Sequence, residues 1–256
     1  MTSTTLHPSL AAKTVLVTGG SRGIGADTAR AFAAQGAKVG VVGRDTAALA
    51  DVVAGITESG GTALALTADV TDAAAVASAR DAVEFQLGPV DVLCAFAGGQ
   101  GYPVRSTELT EQRWREVLDA DLTSAFLSIQ AVLPGMVERG SGSIITMSST
   151  AGRQPGQANL AYAVANAGIV MLTRHLATEL GPQGIRINCL APTSILTEKV
   201  RANMPPAVQD QVAAIHPLRR LGLPADVTEA ALFLASDAAS YLTGLTLDIS
   251  GGRVTN

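Results

Sequence analysis

Charge, aromatic side chains and cysteine are all scarce in this 256-residue chain. Only 16% of residues are charged and 4% aromatic, against 47% hydrophobic, and the net charge is −4. No basic cluster disturbs that balance, so neither nucleic acid nor an anionic membrane surface is expected as a partner. An uninterrupted run of ~18 apolar residues is missing, which argues against a membrane-spanning helix. Met1 to Lys13 lacks a basic region followed by an apolar core, so residues 1–12 read as an N-terminal tail rather than a secretion signal. Cys94 and Cys189 each stand alone inside an apolar run, where buried free thiols fit and a disulfide framework does not. His7, His175 and His216 are scattered without ligand spacing, so no metal is expected. A cytoplasmic protein is the expectation.

What the chain has in quantity is alternation. Short β-like runs occur at Thr14–Val17, Lys38–Val42, Ala63–Thr67, Val90–Ala95, Ser143–Met147, Arg186–Leu190 and Leu245–Ile249. Between them lie Ala-rich helical patterns near Ile24–Gln35, Thr46–Ser59, Thr71–Gln86, Thr110–Val137, Ala158–Leu180 and Ala225–Leu234. Gly36, Gly60-Gly61 and Gly88-Pro89 stand where helices should stop, and Thr71 and Thr110 are placed to cap helix starts. Strand–helix alternation of this kind predicts an α/β fold, a Rossmann-type doubly wound parallel sheet of seven strands with helices on both faces. Residues 13–256 show no linker, repeat or composition break and are expected to form one domain. Pro192 to Leu223 lacks periodicity and reads as an excursion over the sheet, a substrate lid at about 193–222.

The first strand runs into Thr18-Gly-Gly-Ser-Arg-Gly-Ile-Gly25, and a helix begins there. In a dinucleotide-binding loop Gly19 would permit the sharp turn, Gly23 the approach of phosphate, and Gly25 close helix–strand contact. The helix N-terminal N–H groups would face the pyrophosphate. A cofactor with a free ribose 2′-hydroxyl calls for a carboxylate at the end of the second strand. This chain has Val41-Val42-Gly43-Arg44 there, and with Arg22 and Arg44 at hand a 2′-phosphate could be held instead. NADP(H) is therefore favoured and NAD(H) remains possible. Asp69 closes the third strand, where a carboxylate can meet the adenine amino group or simply cap the next helix.

Ser149 to Asn166 carries the chemistry. Ser149 leaves an apolar strand, a Gly/Pro-containing loop follows, and a helix then presents Tyr162 and Asn166 four residues apart on one face. A Ser hydroxyl and a Tyr phenol brought together can hold and protonate a carbonyl oxygen. Substrate determinants are expected in Gly98–Tyr102, in Arg153-Gln154 and in Ser194–Ala214, whose Ile195, Leu196, Val200, Met204 and Val208 form an apolar face.

At this point the chain resembles the short-chain dehydrogenase/reductase family, in the flavour of its 3-oxoacyl thioester reductases and related alcohol dehydrogenases. Thr18–Gly25, Asp69-Val70, the Ser149–Tyr162 spacing, Asn188–Pro192, Pro217–Gly222, Tyr241–Gly244 and Asp248–Gly252 all fall in family order. The resemblance implies a homotetramer or homodimer that moves hydride between NAD(P)(H) and a small-molecule carbonyl or alcohol. It also carries cofactor contacts onto Ser21, Ile24, Val70, Ala97, Gly98, Tyr162, Asn166, Pro192, Thr193 and Ile195. Four positions depart: Ala95-Phe96-Ala97-Gly98 replaces Asn-Asn-Ala-Gly, Asp121 replaces the helix asparagine, Asn166 replaces the lysine, and Thr193 replaces a glycine. Of the catalytic set, Ser149 and Tyr162 are retained and Asn166 and Asp121 stand in the other two places. Without an ammonium beside it, Tyr162 should titrate near its free value of about 10 or higher. Alcohol oxidation, which needs a tyrosinate, should then suffer more than carbonyl reduction. Asn166 and Asp121 either form a substitute polar network or remain from a proton relay no longer used. Arg153 and Lys199 are the candidate compensating cations. A silent dinucleotide-binding regulator or subunit, and a non-redox isomerase, cyclase or dehydratase, are the alternatives to a reductase.

Overall fold

The computed structural model describes residues 6–255. Seven parallel strands form one sheet in the order β3-β2-β1-β4-β5-β6-β7. These are β1 (Thr14–Thr18), β2 (Lys38–Gly43), β3 (Thr62–Thr67), β4 (Val92–Ala95), β5 (Gly142–Met147), β6 (Ile185–Pro192) and β7 (Thr246–Ile249). All seven expected runs are strands, shifted by no more than a few residues. The central strands are buried on both faces, which is why their sequences read as nearly continuous Val, Ile and Leu rather than as alternation. One apolar core lies between the sheet and α1 (Gly23–Ala34), α2 (Thr46–Glu58) and α9 (Pro224–Ala235). A second lies on the opposite face under α3 (Ala73–Leu87), α5 (Ser124–Arg139) and α6 (Leu160–Leu180).

The strand order reverses direction between β1 and β4, whose registers pair Thr18 with Ala95. At that switch point the loops leaving the two carboxyl ends diverge and open a crevice, the place where open α/β sheets bind ligands.

Several local expectations need correction. The helix after β3 is capped by Asp72, whose carboxylate accepts N–H bonds from Ala74 at 2.8 Å and Ala75 at 3.3 Å. Thr71 instead donates to Asp69. Thr110 does cap its helix, accepting from the Arg113 N–H. The expected Thr110–Val137 helix is three pieces in one rod: α4 (Glu111–Leu118), a π-helical turn at Asp119–Thr123, and α5. Two rods, Glu111–Arg139 and Leu160–Gln183, are long and apolar enough by length and composition to pass for membrane spans. Here one side of each rod packs inward, with Ile129, Val132, Met136, Ile169 and Val170 buried.

Residues 193–222 carry two short helices, α7 (Glu198–Asn203) and α8 (Pro206–Ala214). Both ends of the excursion are stitched together where Ile195 bridges Gly222. Of the expected tail, residues 1–5 lie outside the described residues; Pro8–Leu10 forms a 3-10 turn and Leu10 is buried in the core.

Candidate active site

The glycine loop sits at the switch point. An ideal Cβ on Gly25 would fall 2.3 Å from the Gly19 carbonyl oxygen, so only glycine lets α1 start this close to the loop. Arg22 occupies the N-cap position of α1, and its side chain makes no capping bond to the first N–H groups. Uncapped N–H groups at the head of a twelve-residue helix are what a pyrophosphate needs, so the loop Gly19–Gly25 fits a dinucleotide. Within it Ser21 packs against Gly43, and Gly23 faces Thr197, the cap of α7. Ile24 joins the core beneath.

Both arginines expected at the adenosine end are exposed and acid-paired. Arg22 meets Asp45, the cap of α2, and Arg44 approaches Asp69 at 4.0 Å. Asp69 is itself held by the Thr71 N–H and hydroxyl, which lower its carboxyl below the ordinary value. Val70 packs partly buried against the core of the opposite face. Across the crevice, Thr18 Oγ1 accepts from the N–H groups of Phe96 at 3.2 Å and Ala97 at 3.4 Å, which fixes the chain before Gly98. Pro192 ends β6 beside Ile249. Thr193, the departure from glycine, pairs its hydroxyl with His216 Nε2 at 3.1 Å, fastening the start of the 193–222 excursion to a later part of it. Ile195 points its side chain into the core, so it can offer a ligand only backbone.

Ser149 and Tyr162 converge as expected. Ser149 follows β5 and caps a 3-10 turn, accepting from Ala151 N–H at 3.2 Å. Tyr162 stands in the first turn of α6, and the cap of that helix is a residue the sequence reading missed. Asn159 is buried; its Oδ1 accepts from the Tyr162 N–H at 2.9 Å, and its Nδ2 donates to the carbonyls of Gln100 and Tyr102. One amide thus positions both the phenol and the 98–102 loop. Asn immediately before a helical run was the available signal. The loop folds over the phenol, since a Cβ on Gly101 would lie 3.0 Å from the Tyr162 ring. Arg113 steadies the same loop through Gln100 Oε1 at 2.9 Å.

Asp121 lies in the π-helical turn, 4% exposed. Its Oδ1 accepts the Gly99 N–H, and Gly98 approaches so closely that a Cβ there would sit 2.2 Å from that oxygen. Its Oδ2 is buried with no hydrogen-bond partner among the described residues. Burial raises the Asp121 carboxyl to about 6, against the opposing pull of the Gly99 and Gln100 N–H groups and of Arg113. The phenol of Tyr162 is pushed above its ordinary value mainly by burial. Hydrogen bonding by Ser149 and Asn166 pulls it down, and the charge of Asp121 pushes it up. Asn166 is 2% exposed and donates its amide N–H to the Tyr162 backbone carbonyl at 2.9 Å. The two candidate substitute cations are engaged elsewhere. Arg153 forks onto Asp248 with two bonds of 3.1 Å, and Lys199 stacks 4.8 Å from the centre of the Tyr102 ring.

Four of the expected groups therefore meet at one place: Ser149, Tyr162, Asn166 and Asp121. The arrangement can hold a carbonyl oxygen, offer it a phenolic proton, and keep that phenol un-ionised at neutral pH.

Comparison with known proteins agrees with this geometry. A family model described as enoyl-(acyl carrier protein) reductase matches residues 19–253. The chain is 38% identical over 243 residues to a 2,5-dichloro-2,5-cyclohexadiene-1,4-diol dehydrogenase of Sphingobium indicum, covering 95% of this chain and 96% of that one. It is 40% identical over 253 residues to the 3-oxoacyl-[acyl-carrier-protein] reductase of Synechocystis, covering 96% and 98%. Among solved structures, a 3-oxoacyl-[acyl-carrier protein] reductase from Brucella melitensis with bound NAD superposes with a TM-score of 0.90 at 36% identity, covering 98% of this chain and 94% of that one. With sheet order, glycine loop and Ser–Tyr pair all in place, the chain belongs to the short-chain dehydrogenase/reductase family of NAD(P)(H)-dependent oxidoreductases.

Proposed function

We propose that the protein is an NADP(H)-preferring reductase that converts a carbonyl, of ketone or 3-oxoacyl type, to the alcohol. The observation that carries this reading is the convergence of Ser149 and Tyr162 beside a loop fit for a dinucleotide, with the phenol held in its protonated form. A reduced nicotinamide cofactor, when bound at the loop Gly19–Gly25, would supply the hydride. Ser149 holds the carbonyl oxygen and Tyr162 Oη gives it the proton. Asn166 keeps Tyr162 in register through its bond to the Tyr162 carbonyl and presents a neutral amide to the cofactor ribose. Arg44, mostly exposed and only loosely paired with Asp69, is the principal partner for a 2′-phosphate, with Arg22 beside it. Residues 193–222 close over the substrate as a lid on a single domain, 13–256. The protein is cytoplasmic and works as a homotetramer or homodimer.

Following NADPH absorbance against a panel of ketones and 3-oxoacyl thioesters tests this. Turnover is expected, with Tyr162→Phe losing about 10²-fold or more. NADPH should bind more tightly than NADH, with Arg44→Ala removing most of the difference. A second reading, a silent dinucleotide binder, is favoured by the engagement of Arg153 and Lys199 away from a phenol that has lost its lysine. Normal NADPH binding without turnover on any substrate, together with turnover restored by Asn166→Lys, Asp121→Asn, would select it.

A further inference from the structure

A buried carboxyl group within electrostatic reach of a reductase's proton donor is an unusual neighbour. We propose that Asp121 is the acid that returns the proton to Tyr162, and that its neutral carboxyl is the working form of the site. The proposal rests on the reductase reading above and deepens it.

Three observations carry it. The first is placement: the π-helical turn at Asp119–Thr123 shifts the helix register at this point, and π-helical turns of this kind tend to mark functional sites. The second is asymmetry. Asp121 Oδ1 is seated on the Gly99 N–H, whereas Oδ2 is buried and unpartnered among the described residues. A proton on Oδ2 removes the cost of an uncompensated buried charge and turns that oxygen into a donor. The third is that no competing acid acts on it among the described residues. Arg113 on α4 acts on Asp121 but is bonded to Gln100 and to Glu116, and it cannot give up a proton. From α6, the Tyr162 phenol feels its charge; from the 98–102 loop, the N–H groups of Gly99 and Gln100 act on it. Asp119, in the same turn, is bonded to Thr123 instead.

The proton balance is simple. Each turnover removes one proton from Tyr162 Oη to the product oxygen and leaves a phenolate. Asp121 gives its carboxyl proton to that phenolate through a bridging water, since Oδ2 has no hydrogen-bond partner among the described residues; this restores the phenol and leaves a carboxylate. Solvent then reprotonates the carboxylate. The transfer runs downhill, because burial leaves Asp121 at about 6 while it holds the phenol above its ordinary value. If Asp121 were already ionised, donation by Tyr162 would leave two negative charges in one buried pocket.

The pH dependence of the reductase and the titration of the unliganded protein test this together. Reductive kcat should fall about tenfold per pH unit above the Asp121 pKa, and Asp121→Asn should flatten that limb. In the unliganded protein, Asp121→Asn should let one of the three tyrosines form phenolate at lower pH by ultraviolet difference absorbance. Infrared difference spectra should show a protonated carboxylic acid at about pH 5 that is lost by about pH 8 and is missing in Asp121→Asn. If that variant does not fold, coincidence of the infrared titration with the wild-type kcat limb decides. A flat wild-type profile beside normal turnover, or a phenolate titration unmoved by the substitution, would overturn the proposal. A shifted phenolate titration without any turnover would sink the reductase reading and leave the Asp121–Tyr162 coupling standing.

Discussion

Asp121 bears on stability as well as on chemistry, and the sign follows from its pKa. Its folded value of about 6 lies above the unfolded 3.8 because burial penalises the charge. The native state therefore holds the proton more tightly than the unfolded chain. The penalty is absent below about pH 4, grows as pH rises through the folded pKa, and is complete above it. Asp121→Asn should consequently match the wild type near pH 4 and exceed it by on the order of 2–3 kcal/mol at about pH 8. Urea unfolding at the two pH values checks this; equal gains at both would refute it. Asn166 makes the complementary case. Asn166→Lys would place an ammonium beside the phenol and, combined with Asp121→Asn, should lower the Tyr162 pKa and raise alcohol oxidation near neutral pH by 10-fold or more relative to reduction. Paired initial rates in the two directions measure it. At this scale the sequence was most legible where chemistry is local. Ser149, Tyr162 and Asn166 read correctly as neighbours because one loop and one helical turn join them. It was least legible where a side chain's partner lies far along the chain. Arg153 looked like a spare cation until its carboxylate, Asp248, came from 95 residues away.

That same pair is the clearest tie between elements. Arg153 follows β5 and Asp248 lies in β7, two strands apart in the sheet, and both side chains are largely buried. Removing one partner leaves an uncompensated buried charge, so Asp248→Ala should cost about 3–5 kcal/mol, with Arg153→Met, Asp248→Leu recovering much of it. Thermal unfolding of the single and double variants separates the two terms, and a single variant as stable as the wild type would refute this reading. Elements themselves were mostly legible: strands announced themselves by Val- and Ile-rich runs, helices by caps and glycine stops. The π-helical turn did not. Asp-Ala-Asp-Leu-Thr is ordinary helix sequence, and its widened turn sits beside the glycine backbone at 98–99, against which Asp121 is seated. Helices α7 and α8 were hidden for a related reason: each is short, and Pro205-Pro206 between them reads as loop until Pro206 is seen to open α8.

Across the whole molecule, many apolar side chains are buried between the sheet and its helices, and some of those left exposed lie on the two long helices α5 and α6. On α5, Phe126 and Val137 are exposed; on α6, so are Leu160, Val164 and Met171. These two helices lie on the same face of the sheet, one against β4 and β5, the other against β5 and β6. Val164 and Met171 stand seven residues apart and so share a stripe of α6. Both rods carry enough apolar residues to cover a sheet on one side and still present an apolar surface on the other, which explains why they also pass a length-and-composition test for membrane spans. A second copy of the chain, related by a two-fold axis, would bury those side chains against their own equivalents, and such isologous contact suits rods of this length. At about 25 cal/mol per Å² of apolar surface, even a few such side chains on each subunit contribute several kcal/mol. Phe126→Glu, Met171→Glu should therefore shift the protein toward monomer in sedimentation velocity and lower its Tm, and dilution should do the same to the wild type to a lesser degree. If the wild type already sediments as a monomer, or the double variant keeps the wild-type assembly, α5 and α6 do not form the interface.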